Sequence, residues 1–313
     1  MILQILIFAV SIFLIIRGAT LSTKFSGRIA KHFNLSNYVV GFLIVAVTSI
    51  IPETFVSINA AISGVPSLGL GTIFGSNIAD LTLVFAIVVL VAGRSLKIES
   101  KILKSNAIYP FFFLIPIALG IDGAYNRGEG LCLVIAGIIF YYLAFRSTQD
   151  NEEKNKVEIK IDKKTKKDIL YFLLSLVLLL VGSYLVVNSG VKIAEYLKIN
   201  AVIIGLFFIG LGTVIPELLF SISAIKKNED SLAIGDVLGT VLADATILVG
   251  LLALIKPFTF PIKIIYVAGI FMFAAAFMLY YLMRSGKILS KREGYLLILF
   301  WIVFALMEIT LHF

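Results

Sequence analysis

Long apolar stretches, separated by short polar ones, run along most of the chain. Ten can be drawn, each close to the roughly 20 residues that a helix needs to cross a bilayer. The first has no basic start and no small-residue cleavage site, so we interpret it as a membrane span and not as a signal peptide. The pattern predicts an all-α polytopic protein of ten transmembrane helices in a lipid bilayer. The stretches lie at about 2–20, 38–63, 67–92, 105–121, 130–146, 168–189, 200–225, 231–255, 264–283 and 294–311.

A polar segment divides the chain into halves. Residues 147–167 are rich in lysine and acidic side chains and contain no aromatic residue, which is typical of a solvated tether. We therefore predict a first five-helix repeat at 1–146, a linker at 147–167 and a second five-helix repeat at 168–313.

The two halves repeat one another at a constant offset of 164 residues. Chance similarity between apolar helices would not preserve polar and glycine positions as this repeat does. Because each half has five spans, an odd number, the second half must cross the membrane in the opposite direction. The sequence thus predicts inverted-topology repeats, an architecture found in many secondary transporters. The matched pairs are Gly41 and Gly205, Pro52-Glu53 and Pro216-Glu217, Ser57 and Ser221, Ser67-Leu68 and Ser231-Leu232, Gly71 and Gly235, Gly75 and Gly239, and Ala79-Asp80 and Ala243-Asp244.

Composition and charge add an orientation to this picture. The chain is 60% hydrophobic and only 15% charged, against roughly 25% charged residues in soluble proteins. The net charge of +8 reflects basic loops and not nucleic-acid binding, because all but five of the 27 Lys and Arg residues fall on one side of the ten spans. The positive-inside rule places that side and the linker in the cytoplasm, and both termini outside the cell membrane. The five exceptions are Arg127, Lys192, Lys198, Lys256 and Lys263.

Metal sites built on sulfur or nitrogen are excluded by composition. The chain has one cysteine, Cys132, and two histidines, His32 and His312. It cannot form a disulfide framework, a thiolate cluster or a convincing histidine site. We expect no resident cofactor, so the candidate cation ligands are oxygen atoms.

Four acidic residues lie well inside predicted spans. Glu53 and Asp80 of the first half match Glu217 and Asp244 of the second. An ionised group at the bilayer centre costs about 2.5–3.5 kcal/mol on insertion scales, so such residues mark a functional site that faces a polar interior. At about 1.5 Å per residue, the two aspartates lie roughly 20 Å from the start of their helices, near mid-membrane.

Proline and hydroxyl residues accompany these acids. Pro52 and Pro216 precede the two glutamates, and a proline inside a helix frees the carbonyl four residues before it. A hydroxyl residue stands four positions before each acid, where a helix brings it to the same face. Carboxylate, hydroxyl and carbonyl oxygens are the ligands that Ca²⁺ and Na⁺ prefer. The four hydroxyl residues are Ser49, Ser76, Thr213 and Thr240.

The motifs resemble a known family. The segments 47–53 (VTSIIPE) and 211–217 (LGTVIPE), followed by 75–80 (GSNIAD) and 239–244 (GTVLAD), are similar to the two α-repeats of the Na⁺/Ca²⁺ exchangers in the cation/Ca²⁺ antiporter superfamily. The resemblance covers essentially the whole chain and implies exchange of Ca²⁺ for Na⁺ by alternating access. It implies that Glu53, Glu217, Ser49 and Thr213 bind Ca²⁺. It also implies further ion ligands at the carbonyls of Ala46 and Gly210, at the hydroxyls of Ser76 and Thr240, and at Asp80 and Asp244 between them.

Two departures from the family pattern bear on the coupling ion. The family usually has a hydroxyl three residues before each glutamate, where this chain has Ile50 and Val214. It also usually pairs one Asn with one Asp at the middle positions, where this chain has Asp80 and Asp244. Clustered carboxylates cannot all stay ionised without compensating cations, so either Na⁺ or H⁺ can be the coupled ion.

Other functions remain as alternatives. They are exchange of another divalent cation such as Mg²⁺ or Mn²⁺, Na⁺/H⁺ exchange without Ca²⁺, a gated channel, and an intramembrane hydrolase that uses paired acids. A hydrolase needs one carboxylate dyad and no inverted duplication, so we predict that the protein is not an enzyme. Paired half-sites favour alternating access over a channel.

The remaining polar and glycine positions have simpler interpretations. Asp236 is expected to cap its helix or to attract cations at the cytoplasmic start of the span, and Glu308 to lie at the outer interface. Asn77 is either an ion ligand or a partner in an interhelical hydrogen bond. The G-x-x-x-G spacings at 71–75 and 235–239 predict close helix packing. Packing or interfacial roles are expected for Tyr141, Tyr142, Tyr280, Tyr281 and Trp301.

Overall fold

A computed structural model describes residues 1–32, 46–97, 109–149, 163–286 and 288–312. Almost all of these residues are helical, which confirms the prediction of an all-α protein. The α-helices are α1 (Ile2–His32), α2 (Ala46–Ser49), α3 (Ile51–Ile62), α4 (Pro66–Ala79), α5 (Phe85–Ala92), α6 (Leu114–Leu119), α7 (Arg127–Gln149), α8 (Lys163–Leu197), α9 (Ala201–Ile203), α10 (Gly210–Lys226), α11 (Asp230–Ala243), α12 (Val249–Ile255), α13 (Ile270–Gly286) and α14 (Lys291–His312).

Several of these helices are joined by short segments of different helical pitch. A 3₁₀ turn, Tyr109–Phe113, leads into α6. Four π-helical segments join or precede α-helices, so that α4 continues into α5, α9 into α10 and α11 into α12 without leaving the helix. Such segments often accompany functional sites. They are π1 (Asp80–Val84), π2 (Ile204–Ile209), π3 (Asp244–Leu248) and π4 (Ile265–Gly269).

Within the described residues, seven helices are long and apolar enough to cross a membrane. Three of the ten predicted spans are not among the seven. The span at 38–63 lies partly outside the described residues, and its described part is broken between α2 and α3. The span at 105–121 is described from residue 109 and gives only the short apolar helix Tyr109–Leu119. The third, at 130–146, corresponds to the 23 residues of α7.

The helices extend further than the polarity pattern predicts at the junction of the halves. α7 continues to Gln149 and α8 begins at Lys163, so both ends of the predicted linker are helical, and its middle lies outside the described residues. Helix α1 likewise continues twelve residues beyond its predicted end. At about 1.5 Å per residue, α1 and α8 are roughly 46 and 52 Å long, which exceeds the ~30 Å hydrocarbon core. These two helices must tilt or project from the bilayer.

The outer helices present apolar side chains to their surroundings. Only 22% of the apolar window of α1 and 28% of those of α8 and α14 is buried. Large exposed side chains such as Leu3, Leu174 and Leu306 cover these helices. An apolar surface of this extent is stable in lipid and not in water.

Helices α4 and α11, with their π-helical continuations, form the centre of the molecule. They are the most buried of the seven candidate spans. Glycines let α4 approach the backbone of α9 and π2. A Cβ atom on Gly71 would lie 2.6 Å from the Val202 carbonyl oxygen of α9, and one on Gly75 would lie 2.2 Å from the Leu206 carbonyl oxygen of π2. The close packing predicted from the first G-x-x-x-G spacing is therefore confirmed.

Two short antiparallel strand pairs join the halves at the helix ends. Strand β1 (Leu96–Lys97) pairs with β4 (Ile288–Leu289), and β2 (Ala124–Tyr125) pairs with β3 (Phe258–Thr259). Beside the first pair, Arg94 donates two 2.7 Å hydrogen bonds to Asp230, the first residue of α11. This contact raises the pKa of the Arg94 guanidinium. Each pair takes one strand from each half of the chain.

Candidate functional site

The four predicted carboxylates meet at the centre of the molecule. Glu53 lies in the first turn of α3 and Glu217 in α10, while Asp80 and Asp244 are the first residues of π1 and π3. All four are at most 2% exposed. Asp80 interacts electrostatically with both Glu217 and Glu53, and Asp244 interacts with Glu53 and Asp80. Helices from both halves of the chain thus converge on one acidic centre.

The predicted hydroxyl ligands surround these acids. Thr213 lies beside the Glu53 carboxyl group, and its hydroxyl also donates to the Gly210 carbonyl at 3.0 Å. The Ser76 hydroxyl donates to the Ile73 carbonyl at 3.1 Å. The Thr240 hydroxyl is buried and has no hydrogen-bond partner among the described residues.

Backbone geometry differs between the two halves. In the first half the helix is interrupted at Ile50, between α2, which begins at Ala46, and α3, where Pro52 occupies the first turn. In the second half Pro216 lies inside the continuous helix α10. Proline is tolerated in a first turn, where its missing N–H needs no partner, but it removes a hydrogen bond in a helix interior. The second half has the π-helical segment π2 immediately before Gly210.

Asp236 belongs to the acidic centre, so its predicted role as a helix cap or a charge at the cytoplasmic start of the span is wrong. It is the seventh residue of α11 and is fully buried. The Ser49 hydroxyl donates to its Oδ1 atom at 3.1 Å, across 187 positions of the chain. Asp236 also interacts electrostatically with Asp80 and Glu217. The site therefore contains five acids, and the second half contributes three of them.

Glu308 also departs from its predicted place. It is fully buried within α14, because its side chain turns inward from a helix whose other faces are largely apolar and exposed. The expectation of an interfacial position is therefore wrong. Asn77 donates a long contact of 3.6 Å to the Met272 sulfur, and its Oδ1 atom has no partner among the described residues.

Several polar residues of the site are hard to recognise from the sequence alone. Ser57 and Ser221 follow the two glutamates by four residues and are buried, and neither hydroxyl has a partner in the described part of the chain. Their only signal is their match in the repeat. Tyr109 and Tyr141 donate 2.8 Å hydrogen bonds to the carbonyls of Leu238 and Gly239 in α11, immediately before Thr240. Nothing in the spacing of these tyrosines indicates that contact.

In the described part of the chain, no lysine or arginine forms an ion pair with the acidic centre. Across residues 1–32, 46–97, 109–149, 163–286 and 288–312, the two ion pairs join Arg28 to Asp168 and Arg94 to Asp230, and neither includes one of the five acids. Both carboxylate oxygens of Glu53, Asp80, Glu217 and Asp244 lack a hydrogen-bond partner in the same ranges. Buried charges of this kind are costly unless a counter-charge meets them.

All five acids are at most 2% exposed, so the described residues around them enclose the centre. A cavity of about 270 Å³ reaches Pro216 from the side of Lys24 and Lys227. Another cavity, of about 500 Å³, lies beside the β2–β3 strand pair, between Gly64 and Lys256. Neither is lined by any of the five acids. No group of three or more His, Cys, Asp or Glu side chains in the described residues is close enough to hold one metal ion by itself, so hydroxyl and carbonyl oxygens must complete any cation site.

An all-helical membrane protein with an occluded, oxygen-rich acidic centre is of the cation-carrier class, and comparison with known proteins specifies the family. The sodium/calcium exchanger protein family matches residues 3–146 and 167–310. The chain belongs to this family of membrane antiporters.

Individual relatives cover most of the chain. The putative antiporter CaxA of Alkalimonas amylolytica is 30% identical over 74% of this chain and 74% of its own. The sodium/calcium exchanger MaX1 of Methanosarcina acetivorans is 24% identical over 96% of both chains. A solved structure of the sodium–calcium exchanger NCX_Mj, soaked with Na⁺ and Sr²⁺, has a TM-score of 0.70 and 25% identity and covers 97% of both chains.

Proposed function

We propose that the protein is a secondary antiporter that exchanges Ca²⁺ for Na⁺ or H⁺ across the cell membrane by alternating access. The main support is the burial of four acids whose carboxylate oxygens have no hydrogen-bond partner among the described residues. They are Glu53, Glu217, Asp80 and Asp244. A cation delivered from solvent supplies the missing counter-charge. The similarity to MaX1, a sodium/calcium exchanger, and to CaxA, a putative antiporter, supports this function.

In this proposal Ca²⁺ is held by Glu53, Glu217, Ser49 and Thr213. Two carboxylates balance a divalent ion, and hydroxyls and carbonyls supply neutral oxygens. The contact of Thr213 with the opposite half's Glu53 supports a ligand set shared between the halves. The flanking ligands are the carbonyls of Ala46 and Gly210, the side chains of Ser76, Asn77 and Thr240, and the carboxylates of Asp80 and Asp244.

The proposed architecture has ten spans in two inverted repeats, 1–146 and 168–313, with the linker 147–167 in the cytoplasm and both termini outside. The strand pairs support it. Adding the 164-residue offset to β2 gives β4, and adding it to β1 gives a position two residues beyond β3. Exchange of the halves therefore carries the β1–β4 pair onto the β3–β2 pair. Since β1 precedes and β2 follows the predicted span 105–121, the two pairs lie at opposite membrane faces in this proposal, as a two-fold axis in the membrane plane requires.

Coupling follows from competition for the same acids. Moving an uncompensated charge through the low-dielectric centre is penalised, so the site crosses between faces only when it is neutralised by Ca²⁺ or by the coupling ions. The burial of all five acids supports an occluded intermediate of such a cycle. Ile50 and Val214 supply no side-chain oxygen at the positions where the family usually has a hydroxyl, so the coupling ion is either Na⁺ or H⁺. Flux driven by an imposed Na⁺ gradient and flux driven by an imposed pH gradient are compared to identify it.

The test is flux through proteoliposomes that contain the full-length protein. We expect ⁴⁵Ca²⁺ uptake driven by an outward Na⁺ or proton gradient, and we expect Glu53→Gln or Glu217→Gln to reduce it at least about a hundredfold, because each change removes a Ca²⁺ ligand charge. Asp168→Asn is the matched control, since Asp168 is a buried acid of α8 outside the site. It should retain uptake.

Three results would contradict the proposal. If either glutamine variant takes up Ca²⁺ at the wild-type rate, the replaced glutamate is not a Ca²⁺ ligand. Uptake that does not depend on any imposed gradient of a second ion would indicate a channel. Competition by Mg²⁺ or Mn²⁺ that exceeds competition by Ca²⁺ would indicate another divalent substrate, because a strictly octahedral Mg²⁺ site accepts Ca²⁺ poorly.

A further inference from the structure

Asp236 is the fifth acid of the centre. Unlike the other four, it has no acidic residue at the matching position in the other half. At the equivalent position in the first half stands Thr72, which is neutral and whose hydroxyl donates to the Leu68 carbonyl of its own helix at 3.0 Å. Asp236 instead reaches across to the other half and accepts a hydrogen bond from Ser49. The acidic centre is therefore asymmetric, with an additional charge on the Ser49 side.

The Asp236 carboxylate is only half satisfied. Oδ1 accepts the Ser49 hydroxyl at 3.1 Å, whereas Oδ2 is buried without a hydrogen-bond partner in the described ranges. Among the described residues, titratable side chains that interact with it include Asp80, Glu217 and Tyr141. None of them is cationic, and the two ion pairs of the described residues lie elsewhere. Within the described ranges no side chain balances the charge of Asp236, so a cation from solvent can take that place.

We propose that Asp236 and Ser49 form an additional, asymmetric subsite for one Na⁺ ion. This rests on the proposed function and deepens it. The bound ion contacts Oδ2 of Asp236 and the oxygen of Ser49. Ile50, which follows Ser49 in the sequence, has no side-chain oxygen. In this subsite Asp236 supplies an oxygen ligand in its place.

Charge matching decides between a monovalent and a divalent ion. Glu53 and Glu217 together offer two negative charges to Ca²⁺, whereas Asp236 adds one charge beside a neutral hydroxyl. One Na⁺ neutralises that charge, whereas a divalent ion held by Asp236 and Ser49 alone would carry a positive charge that these two ligands do not balance, which is penalised in a low-dielectric region. The same hard oxygen ligands suit Na⁺. Because Thr72 is neutral, the equivalent position of the other half lacks this additional site.

The discriminating change is Asp236→Asn. The amide oxygen still accepts the hydrogen bond from Ser49 and the volume is unchanged, so a purely structural contact between the halves survives while the charge is lost. In purified full-length protein, ⁴⁵Ca²⁺ binding is measured against increasing NaCl, with choline chloride keeping ionic strength constant. We expect the Na⁺ concentration for half-displacement to rise about tenfold or more, and the Hill coefficient for Na⁺ to fall by about one. Ca²⁺ binding without Na⁺ is measured for each variant, and Na⁺ displacement is expressed relative to it.

Asp230→Asn is the matched control. It makes the same chemical change six residues earlier in α11, where Asp230 is bound to Arg94 at the helix start. Its Na⁺ dependence should match the wild type. Asp236→Thr, which introduces the first half's residue, should behave like Asp236→Asn. Thermal unfolding of each variant in detergent, followed by circular dichroism, shows independently of Ca²⁺ binding that the variant is folded.

Two outcomes would overturn the subsite. Unchanged Na⁺ displacement in Asp236→Asn would mean that the carboxyl group is a structural contact or is protonated throughout. Loss of Ca²⁺ binding in a folded Asp236→Asn protein would place Asp236 in the divalent site. Direct ²²Na⁺ binding without Ca²⁺ separates this proposal from the antiporter function. Wild-type protein that binds ²²Na⁺ but no Ca²⁺ contradicts Ca²⁺ exchange, and the difference in ²²Na⁺ binding between wild type and Asp236→Asn still tests the subsite.

Discussion

Polar side chains in the interior of this protein divide into those that the fold satisfies and those that it leaves for a ligand. Asn59 donates a 2.7 Å hydrogen bond from α3 to the Ser183 hydroxyl of α8, which joins the two helices. Ser57, two residues earlier in α3, packs against Gly69 and has no hydrogen-bond partner among the described residues. A buried hydroxyl without a partner costs about 1–3 kcal/mol relative to a satisfied one, so these two serines should contribute differently to stability.

Replacing these serines one at a time tests that difference. We expect Ser57→Ala to leave the free energy of unfolding within about 0.5 kcal/mol of the wild type or to raise it, because the change removes an unsatisfied group. We expect Ser183→Ala to lower it by about 0.6–1.5 kcal/mol, since an interhelical hydrogen bond is lost. Denaturant unfolding in detergent, without Ca²⁺, measures both. A larger loss for Ser57→Ala would indicate a partner for its hydroxyl.

Among single residues, an acidic site residue can be predicted from the sequence when the other half of the chain has an acid at the matching position. Glu53, Asp80 and their two matches stand out because the repeat preserves them within apolar spans. Asp236 matches Thr72, so the same reasoning discounts it, and its contact with Ser49 depends on how helices separated by 187 positions pack. The duplicated part of the site could therefore be predicted, whereas the part that breaks the symmetry required the fold.

At the scale of helices, glycine positions determine how closely the two halves approach one another. Helix α1 crosses α8 at two equivalent contacts, where Cβ atoms on Gly18 and Gly182 would lie 2.9 Å from Leu179 and 3.0 Å from Ile15. The centre is tighter still, because Gly75 contacts backbone and not a side chain. Apolar periodicity predicts that such helices exist, but their partners and crossing points follow from packing that no local pattern specifies.

Gly75→Ala should disrupt the central packing. Its Cβ atom would lie 2.2 Å from the Leu206 carbonyl oxygen and 2.7 Å from Leu206 Cα, so the backbone must move. We expect a loss of about 1–3 kcal/mol or more in unfolding free energy, together with weaker Ca²⁺ binding. Gly294→Ala is the matched control, since its nearest neighbour would be at 3.5 Å. It should be neutral or stabilise α14 by up to about 1 kcal/mol. Equal effects of the two substitutions would contradict the packing.

For the whole molecule, the repeat offset relates one half to the other in detail. Helices α4 and α11 each have 14 residues and each passes into a π-helical segment that begins with an aspartate, Asp80 or Asp244. The predicted five spans per half and the basic loops favour inversion, but a sequence offset alone is also compatible with parallel repeats. The strand pairing between halves supports inversion, and the two topologies differ in one accessible property, the side of the membrane on which equivalent loops lie.

Equivalent loop residues therefore test the topology. Ser63, after α3, and Lys227, after α10, are separated by 164 positions, and both are exposed. In a Cys132→Ser background, inverted repeats place Ser63→Cys outside and Lys227→Cys in the cytoplasm. We expect a membrane-impermeant maleimide to label Ser63→Cys in right-side-out vesicles and Lys227→Cys only after permeabilisation. Full labelling of both variants in detergent, and none of the Cys132→Ser parent, provides the control. Parallel repeats place both cysteines on one face, so labelling of the pair from the same side would exclude the inverted architecture and with it a binding centre related by a two-fold axis in the membrane plane.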